Sequence, residues 1–213
     1  MSTPTFKTEQ EAFWHGQFGD EYVARNRSAH VLSTNLALFS RVLAKTAKID
    51  SCLELGANVG MNLRALKLLL PECKLHAVEI NANAAAELRQ ALPETNVINA
   101  SILEIEPAKL VGQVDFAFSK GVLIHIAPER LGEVYRKLYE ASLRYILVCE
   151  YYNPTPVAVE YRGHQDRLFK RDFAGEMLER YPDLVLLDYG FNYRREKNFP
   201  MDDTTWFLME KRS

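Results

Sequence analysis

The sequence is poor in cysteine and has no group of residues with the spacing of metal ligands. It contains three cysteines, Cys52, Cys73 and Cys149, among 213 residues. None of them forms a C-x-x-C pair, which argues against a thiolate zinc site and against a disulfide framework. No H-x-x-x-H pair or carboxylate cluster replaces them, so we expect no metal. The apolar neighbours of all three cysteines predict buried, unreactive thiols in a reducing compartment.

Long apolar runs and an excess of charge of one sign are also missing. The longest apolar run is far shorter than the roughly 20 residues that a membrane-spanning helix needs. The polar opening residues lack the basic and apolar regions of a signal peptide. The 26 Lys and Arg nearly balance the 28 Asp and Glu, which leaves a formal net charge of −2 and argues against generic nucleic-acid binding. We expect a cytoplasmic protein whose partners include neither nucleic acid nor a membrane.

What is present is enough apolar sequence for one core. Hydrophobic residues make up 47% of the chain and charged residues 25%, a balance that excludes a disordered chain. No repeat, low-complexity tract or Gly/Ser linker divides it, so residues 1–213 are predicted to form a single domain. Residues 1–47 are interpreted as an N-terminal cap with the first helices, and residues 48–213 as an α/β core.

Short apolar runs alternate with helical patterns along the core. They predict strands at 52–56, 75–80, 96–100, 114–119 and 145–150, and helices at 61–70, 81–92 and 128–143. This alternation is typical of βαβ units in a mostly parallel sheet with helices on both faces. Strands at 184–189 and 204–211 have only a loop between them and predict an antiparallel hairpin that extends the sheet. Residues 161–167 are interpreted as a glycine-containing loop.

A glycine-rich turn follows the first predicted strand, with the sequence Glu54-Leu55-Gly56-Ala57-Asn58-Val59-Gly60. Glycine lets a ligand approach the backbone, and the following helix N-terminus favours negative charge. The dinucleotide pattern G-x-G-x-x-G would need glycine where Asn58 and Met61 stand. The turn instead resembles E/D-x-G-x-G-x-G, the S-adenosylmethionine (SAM) loop of class I methyltransferases. Asn58 replaces the central glycine and tolerates a left-handed backbone. Tight strand–helix packing is the alternative interpretation.

An acidic residue at the end of the second strand agrees with a nucleoside cofactor. Glu79 lies 23 residues after Gly56, where a carboxylate accepts hydrogen bonds from ribose hydroxyls. A solvated strand-end carboxylate is the alternative. In the methyltransferases that the chain resembles, a polar and an apolar residue after the third strand face adenine, as Ser101 and Ile102 would here. The segment Ser119–His125 resembles the one that closes over the methionine part of SAM.

The N-terminal segment is predicted to fold over the cofactor. On a helix Phe18, Tyr22 and Arg25 share a face, so a cap would exclude water and Arg25 would meet the methionine carboxylate. Alternatively, the aromatic residues only anchor this segment. The resemblance implies SAM as cofactor, S-adenosylhomocysteine (SAH) as product, no metal, and these cofactor contacts: Trp14, Tyr22, Arg25, Asn26, Glu54, Gly56, Asn58, Gly60, Asn62, Glu79, Ile80, Ser101, Ile102, Lys120, Gly121 and Val122.

The resemblance extends to a closer family over nearly the whole chain. The segments that carry it are Phe13-Trp14-x-Gly16-x-Phe18-Gly19-Asp20-x-Tyr22-x-x-Arg25-Asn26, residues 151–156, 161–164, 168–176 and 188–191, and Asp202-Asp203-x-Thr205-Trp206-Phe207. Together they resemble the methyltransferases associated with pseudaminic acid biosynthesis. That resemblance implies a small substrate, a sugar or nucleotide sugar of a glycan pathway, methylated on O or N.

A hydroxyl acceptor needs a base when no metal is present. His125, after the fourth strand, and His164, in the predicted loop, are candidates because imidazole titrates near pH 6.5. A packing histidine and a solvated loop residue are the respective alternatives. Tyr152 is a third catalytic candidate. The candidate acceptor contacts are Tyr151, Asn153, Arg162, Arg167, Lys170 and Arg171, of which the arginines suit a carboxylate or phosphate. Buried aromatics and a solvated helix face remain alternatives.

Two other functions stay open at this point. One is an N-methyltransferase that acts on a small amine or amino acid outside glycan metabolism. The other is a non-catalytic SAM-binding or scaffold protein, which the glycine turn and Glu79 disfavour without excluding lost acceptor chemistry. The oligomeric state is expected to be monomer or homodimer.

Overall fold

The computed structural model describes residues 6–23, 28–161 and 163–212, with the side chains of 21–23 and 164–167 outside that description. The helices are α1 Glu9–His15, α2 Gln17–Val23, α3 Ala29–Leu43, α4 Met61–Leu69, α5 Ala82–Ala91, α6 Pro107–Val111, α7 Leu131–Ala141 and α8 Phe173–Arg180. The strands are β1 Ser51–Leu55, β2 Lys74–Glu79, β3 Asn96–Asn99, β4 Val114–Lys120, β5 Ser142–Glu150, β6 Val157–Tyr161, β7 His164–Lys170, β8 Leu184–Phe191 and β9 Thr205–Lys211.

Seven strands form one sheet in the order β3-β2-β1-β4-β5-β9-β8. β1 to β5 pair in parallel, and β9 runs antiparallel to both β5 and β8. The predicted mostly parallel sheet with an antiparallel C-terminal hairpin is therefore confirmed. The chain leaves β1 toward β2 on one side and returns to β4 on the other, so a crevice opens at the carboxyl ends of β1 and β4.

The central strands are buried on both faces, which explains their near-continuous apolar sequences. On β4, Phe116 and Phe118 pack into the layer beneath α3 and α4, whereas Ala117 packs into the layer beneath α7 and α8. The three cysteines belong to the first of these layers and are buried and unbridged, as predicted.

The structure corrects the prediction for residues 161–167. They do not form a loop: β6 and β7 pair as an antiparallel hairpin whose turn holds Gly163 at φ +82°, and His164 begins β7. The first strand is exposed, but Val157, Val159 and Tyr161 alternate with the period of a strand, a signal that the prediction did not use. The short helix α6 and the helix α8 also went unpredicted, and α7 begins at Leu131 after a single 3-10 turn.

The predicted N-terminal helices are present as α1 and α2, which we call the cap. A capping box starts α1, because Thr8 Oγ1 accepts from the Glu11 amide at 3.2 Å and Glu11 Oε2 accepts from the Thr8 amide at 2.8 Å. Asp20 in α2 accepts from the side chains of Asn81 and Asn83, at 2.9 and 2.8 Å. The cap is thereby tied to the start of α5.

Candidate functional site

A cavity of about 480 Å³ lies at the carboxyl ends of the parallel strands. Its walls are residues 56–59 after β1, 78–80 at the end of β2, 101–103 after β3, and 120–122 and 124–127 after β4. The cap closes one side through Trp14 and Glu11, and the segment 201–204 before β9 contributes residues 201, 202 and 204. The volume is within the range of sites for cofactor-sized ligands.

The glycine turn brings backbone close to the β4 loop. Gly56 and Gly60 have φ of +78° and Asn58 has φ of +49°, so the predicted left-handed asparagine is present. A Cβ on Gly56 would stand 2.5 Å from Val122 Cγ2. A Cβ on Gly60 would meet Leu88 at 2.8 Å, and Gly60 is not in the cavity wall. Gly56 thus allows a close approach at the site, whereas Gly60 allows α4 to start against α5.

Glu79 joins the glycine turn to the start of α5. Its Oε2 accepts from the Asn58 amide at 2.7 Å and its Oε1 accepts from the Asn81 amide at 2.8 Å. The side chain is buried but borders the cavity. Burial raises the pKa of the Glu79 carboxyl, and backbone hydrogen bonds from Asn81, Asn58 and Ile80 oppose that rise. A carboxylate has about four acceptor sites, so one remains for a ligand hydroxyl.

Glu54 and Asn62 form a buried pair next to the glycine turn. Asn62 Nδ2 donates to Glu54 Oε1 at 2.6 Å, whereas Glu54 Oε2 and Asn62 Oδ1 are buried with no hydrogen-bond partner among the described residues. Burial raises the pKa of Glu54 to about 8. Asn62 borders the cavity and Glu54 does not, so Asn62 is the member that a ligand would contact. Unpaired buried polar atoms are uncommon in native proteins and mark a position for a ligand donor.

The segment after β3 is held by hydrogen bonds to the cap and to α7. Ser101 Oγ donates to Glu11 Oε1 in a very short hydrogen bond and accepts from the Leu103 amide at 3.1 Å. The buried Lys137 in α7 donates to the Ile102 carbonyl at 2.7 Å. Ser101 and Ile102 both border the cavity. Glu11 was missed in the sequence, where it is one of several charged residues of an amphipathic helix.

The turn after β4 carries His125 to the cavity. His125 lies at the end of a 3-10 turn that begins at Leu123, and only 7% of its surface is exposed. Its ring centroid is 4.5 Å from that of Trp14 in the cap and 5.1 Å from that of Tyr161 at the end of β6. His125 is therefore enclosed by aromatic rings from two other elements while bordering the cavity.

The acceptor candidates separate into two groups. Tyr151 borders the cavity, and Lys170 Nζ lies 5.1 Å from its ring centroid. Tyr152 points away to pack on Phe207, with 41% of its surface exposed. Asn153 Nδ2 donates to the Thr155 carbonyl at 2.6 Å within its own turn.

Arg171 is likewise not brought to the cavity. Its Nε pairs with Glu176 Oε1 at 2.5 Å, and it borders a separate surface cleft beside α7 and α8. Arg25, Asn26 and Arg162 lie outside the described residues, as do the side chains of Tyr22, His164 and Arg167. The predicted residues that do border the cavity are Trp14, Gly56, Asn58, Asn62, Glu79, Ile80, Ser101, Ile102, Lys120, Gly121, Val122, His125 and Tyr151.

Several cavity residues were not candidates in the sequence analysis. Asn35 from α3 and Tyr161 from β6 belong to this group. So do Met201, Asp202 and Thr204, which precede β9. Asn192 holds that last segment in place, since its Nδ2 donates to Thr204 Oγ1 at 3.0 Å and its amide donates to the Thr204 carbonyl at 2.8 Å.

Two kinds of feature are absent from the described part of the chain. No cluster of three or more His, Cys, Asp or Glu in residues 6–23, 28–161 and 163–212 could hold a metal ion. In the same residues no helix has both the length and the apolar character required to cross a membrane.

No protein-family model matches the chain, and no curated protein sequence is significantly similar to it. Solved structures do match. Magnesium protoporphyrin IX methyltransferase from Synechocystis PCC 6803, with SAH bound, has a TM-score of 0.72 at 11% identity over 97% of this chain and 100% of that one. The 1,6-didemethyltoxoflavin-N1-methyltransferase of Burkholderia thailandensis, with 1,6-didemethyltoxoflavin and SAH bound, has a TM-score of 0.69 at 14% identity over 100% of this chain and 94% of that one.

The plantazolicin methyltransferase, in complex with a pentazolic desmethylPZN analogue and SAH, has a TM-score of 0.67 at 12% identity over 95% of both chains. At these identities the similarity concerns the fold. The chain has the Rossmann-like fold of class I methyltransferases.

Proposed function

We propose that the protein is a SAM-dependent methyltransferase that acts on a small molecule. The observation that carries this proposal is the Glu79 carboxylate, bound to the backbone of the Asn58 turn and bordering a cavity at the carboxyl ends of β1 and β4. A ribose with two free hydroxyls suits such a carboxylate, and parallel α/β sheets bind their ligands at this position. The neighbours of the same fold that hold SAH support the choice of cofactor.

The described residues fit SAM along the length of the cavity. Ser101 and Ile102 would flank the adenine, Glu79 would hold the ribose, and the turn 56–58 would follow the sugar and the methionine chain. At the far end Asn62 Oδ1 is buried without a described partner, which suits a ligand ammonium. Gly121 and Val122 would close over the methionine part.

SAM supplies a methyl group on a positively charged sulfur, and the protein's residues have to align and enclose the acceptor. Trp14, His125 and Tyr161 form an aromatic wall that would exclude water from the reacting atoms. We propose that His125 accepts the proton of a hydroxyl acceptor as the methyl group transfers. A neutral amine acceptor would need no base, and His125 would then orient it.

We further propose that the acceptor is a small, anionic sugar or nucleotide sugar of a glycan pathway. The resemblance to pseudaminic acid-associated methyltransferases supports this, and two cations of the described structure agree with it. Lys120 borders the cavity, and Lys170 lies beside the Tyr151 ring. Arg162, Arg167 and His164 remain proposed acceptor contacts outside the described side chains.

An amine acceptor is the second candidate, and one observation favours it. Asp202 is an exposed carboxylate in the cavity wall, where it would hold an ammonium group and repel an anion. Substitution Asp202→Asn separates the two candidates. It should weaken methylation of an amine and leave methylation of an anionic sugar unchanged or improved.

The first experiment is a calorimetric titration of cofactor-stripped protein with SAH and then with SAM. Binding at micromolar concentrations or tighter supports the proposal and justifies screening nucleotide sugars and small amines as acceptors. His125→Ala and His164→Ala should each retain SAH binding while reducing turnover. Absence of SAH binding would reject the enzyme and leave a scaffold protein as the better interpretation.

A further inference from the structure

Another buried carboxylate, that of Glu150, lies behind the turn that carries His125. Glu150 ends β5, is 2% exposed, and is not in the cavity wall. Its Oε1 accepts from the amides of Val122 and Leu123, both at 3.0 Å, and lies 3.4 Å from Ser119 Oγ. The parallel pairing of β4 with β5 adds a bond from the Gly121 amide to the Cys149 carbonyl at 3.0 Å.

These contacts fix the orientation of two consecutive peptide units. A single oxygen that accepts from two successive amides holds both N–H groups toward one point, so neither peptide can rotate without losing a bond. The Val122 carbonyl, which points the other way, accepts from the His125 amide at 2.9 Å. The orientation that Glu150 sets is therefore passed along the 3-10 turn to the histidine.

The same turn is also pressed against the glycine loop. The Val122 side chain occupies the space that a Cβ on Gly56 would need, at 2.5 Å. Val122 borders the cavity on the proposed cofactor side, and His125 borders it beside Trp14 and Tyr161. A movement of this turn would change both halves of the cavity.

An apolar side chain at position 150 would be cheaper to bury than a carboxylate. Burial raises the pKa of Glu150 to about 7, against the opposing effect of the amides that bond to it. Its Oε2 is buried with no hydrogen-bond partner in the described structure. A carboxylate in this position stabilises the two turn amides, which would otherwise be buried without acceptors.

We propose that Glu150 is the positioning residue of the site: it holds the Val122–His125 turn so that Val122 meets the cofactor and His125 meets the acceptor. The roles of Val122 toward the cofactor and of His125 toward the acceptor rest on the proposed function. The placement of the turn by Glu150 does not. Displacing groups at a reacting centre by about 1 Å is enough to cost roughly a hundred-fold in rate.

Three substitutions separate geometry from charge. Glu150→Gln keeps the length of the side chain and an oxygen that accepts from both amides. Glu150→Asp keeps the charge but withdraws the oxygens by one methylene. Glu150→Ala removes the acceptor. Glu210→Ala, which loses an ion pair with Arg144 at 2.6 Å near the opposite end of β5 and β9, is the matched control for lost stability.

Two readouts are needed, and neither requires the acceptor. One is the imidazole signal of His125 in protein labelled with 15N-histidine, which contains five histidines and is assigned through His125→Ala. The other is SAH affinity by calorimetry. We expect Glu150→Asp and Glu150→Ala to shift the His125 signal and to weaken SAH binding at least ten-fold. Glu150→Gln should leave the signal in place and the affinity within about three-fold of the original, and Glu210→Ala should change neither.

The comparison of Glu150→Asp with Glu150→Gln tests the positioning role of Glu150 even if Glu150→Ala fails to fold. An unshifted His125 signal and full SAH affinity in Glu150→Asp would overturn the proposal. A Glu150→Gln variant as impaired as Glu150→Asp would also overturn it, because the charge of the side chain and not its length would then be the important property. If the unmodified protein does not bind SAH, the proposed function fails, while the His125 signal of Glu150→Asp still tests the positioning of the turn.

Discussion

Three parallel strands carry a buried glutamate at or next to their last residue, and each carboxylate has different partners. Glu79 accepts from the backbone amides of Asn58, Ile80 and Asn81. Glu150 accepts from consecutive amides of the turn after β4, and Glu54 accepts from the side-chain amide of Asn62. Burial raises the pKa of all three carboxyls. These three strand glutamates organise the loops at the carboxyl edge of the sheet, and of the three only Glu79 borders the cavity.

Glu54 makes stability depend on pH. Its pKa is about 8 in the folded protein, against an ordinary glutamate value of 4.5, so folding favours the protonated form. The contribution of protonated Glu54 to the free energy of unfolding is complete below pH 4.5. It is lost as the pH rises toward 8, at about 1.4 kcal/mol per pH unit. Urea unfolding from about pH 5 to 8 should show the free energy of unfolding of the unmodified protein falling relative to Glu54→Gln. Parallel curves for the two proteins would contradict this.

Glu79→Ala should weaken SAH binding about 10- to 100-fold, because hydrogen bonds to a charged group contribute about 1.5–3 kcal/mol. Isothermal calorimetry measures the effect. Glu94→Ala is the control, since the Glu94 side chain is 87% exposed and pairs only with Lys67 among the described contacts. Equal SAH affinity in Glu79→Ala and the unmodified protein would remove Glu79 from the cofactor site.

Gly56→Ala should lower the free energy of unfolding for two reasons. A left-handed backbone costs an alanine about 1–2 kcal/mol, and the new Cβ would clash with Val122. Gly163→Ala is the control for the positive φ alone, because Gly163 has φ of +82° with nothing within 4 Å of a Cβ. We expect thermal unfolding to show a larger loss for Gly56→Ala, and calorimetry to show weaker SAH binding for that variant alone. Similar losses in both variants would mean that the approach of Val122 has no consequence.

At the scale of elements, the cap is held by a few polar contacts that are distant in sequence. Glu11 in α1 accepts from Ser101 after β3, and Asp20 in α2 accepts from Asn81 and Asn83 around the start of α5. The ring of Trp14 adds a contact with His125. The cap therefore touches the loops that follow β2, β3 and β4, and it closes the cavity that they form.

Ser101→Ala should loosen the cap without harming α1, whose capping box does not involve Ser101. Losing a hydrogen bond to a carboxylate should raise the dissociation rate of SAH about ten-fold. Stopped-flow fluorescence can follow the dissociation of SAH through Trp14, one of two tryptophans. Ser33→Ala, which removes an exposed hydroxyl on α3 that bonds only to the His30 carbonyl, should leave the rate unchanged. An unchanged rate in Ser101→Ala would show that this contact does not control release.

At the scale of the whole molecule, ligand binding and folding are linked. SAH at a hundred times its Kd should stabilise the folded protein by about 2.7 kcal/mol. For a chain of this size each kcal/mol raises Tm by about 2–4 °C, so calorimetric scanning should show a rise of about 5–10 °C. Glu79→Ala should show a much smaller rise at the same SAH concentration. An unchanged Tm in the unmodified protein would argue against the cofactor.

The sequence by itself determined the strand and helix alternation, the antiparallel end of the sheet, and the local chemistry of the turn at Gly56 and Asn58. These features depend on residues close together in the chain, where periodicity and turn preferences are visible. The hairpin β6–β7 was missed although Val157, Val159 and Tyr161 alternate with the period of a strand, because Pro156 and Gly163 on either side of so short a run are typical of loops.

Only the tertiary structure decided which side chains meet at the site. Glu150 bonds to an amide 28 residues away and Glu11 to a hydroxyl 90 residues away, and no local pattern encodes such partners. Tyr152 was a catalytic candidate and Tyr151 an acceptor contact in the sequence analysis, yet Tyr151 borders the cavity and Tyr152 packs outside it. The physical reason is that successive residues of an extended chain point to opposite sides, and only packing of the finished sheet decides which side faces the ligand.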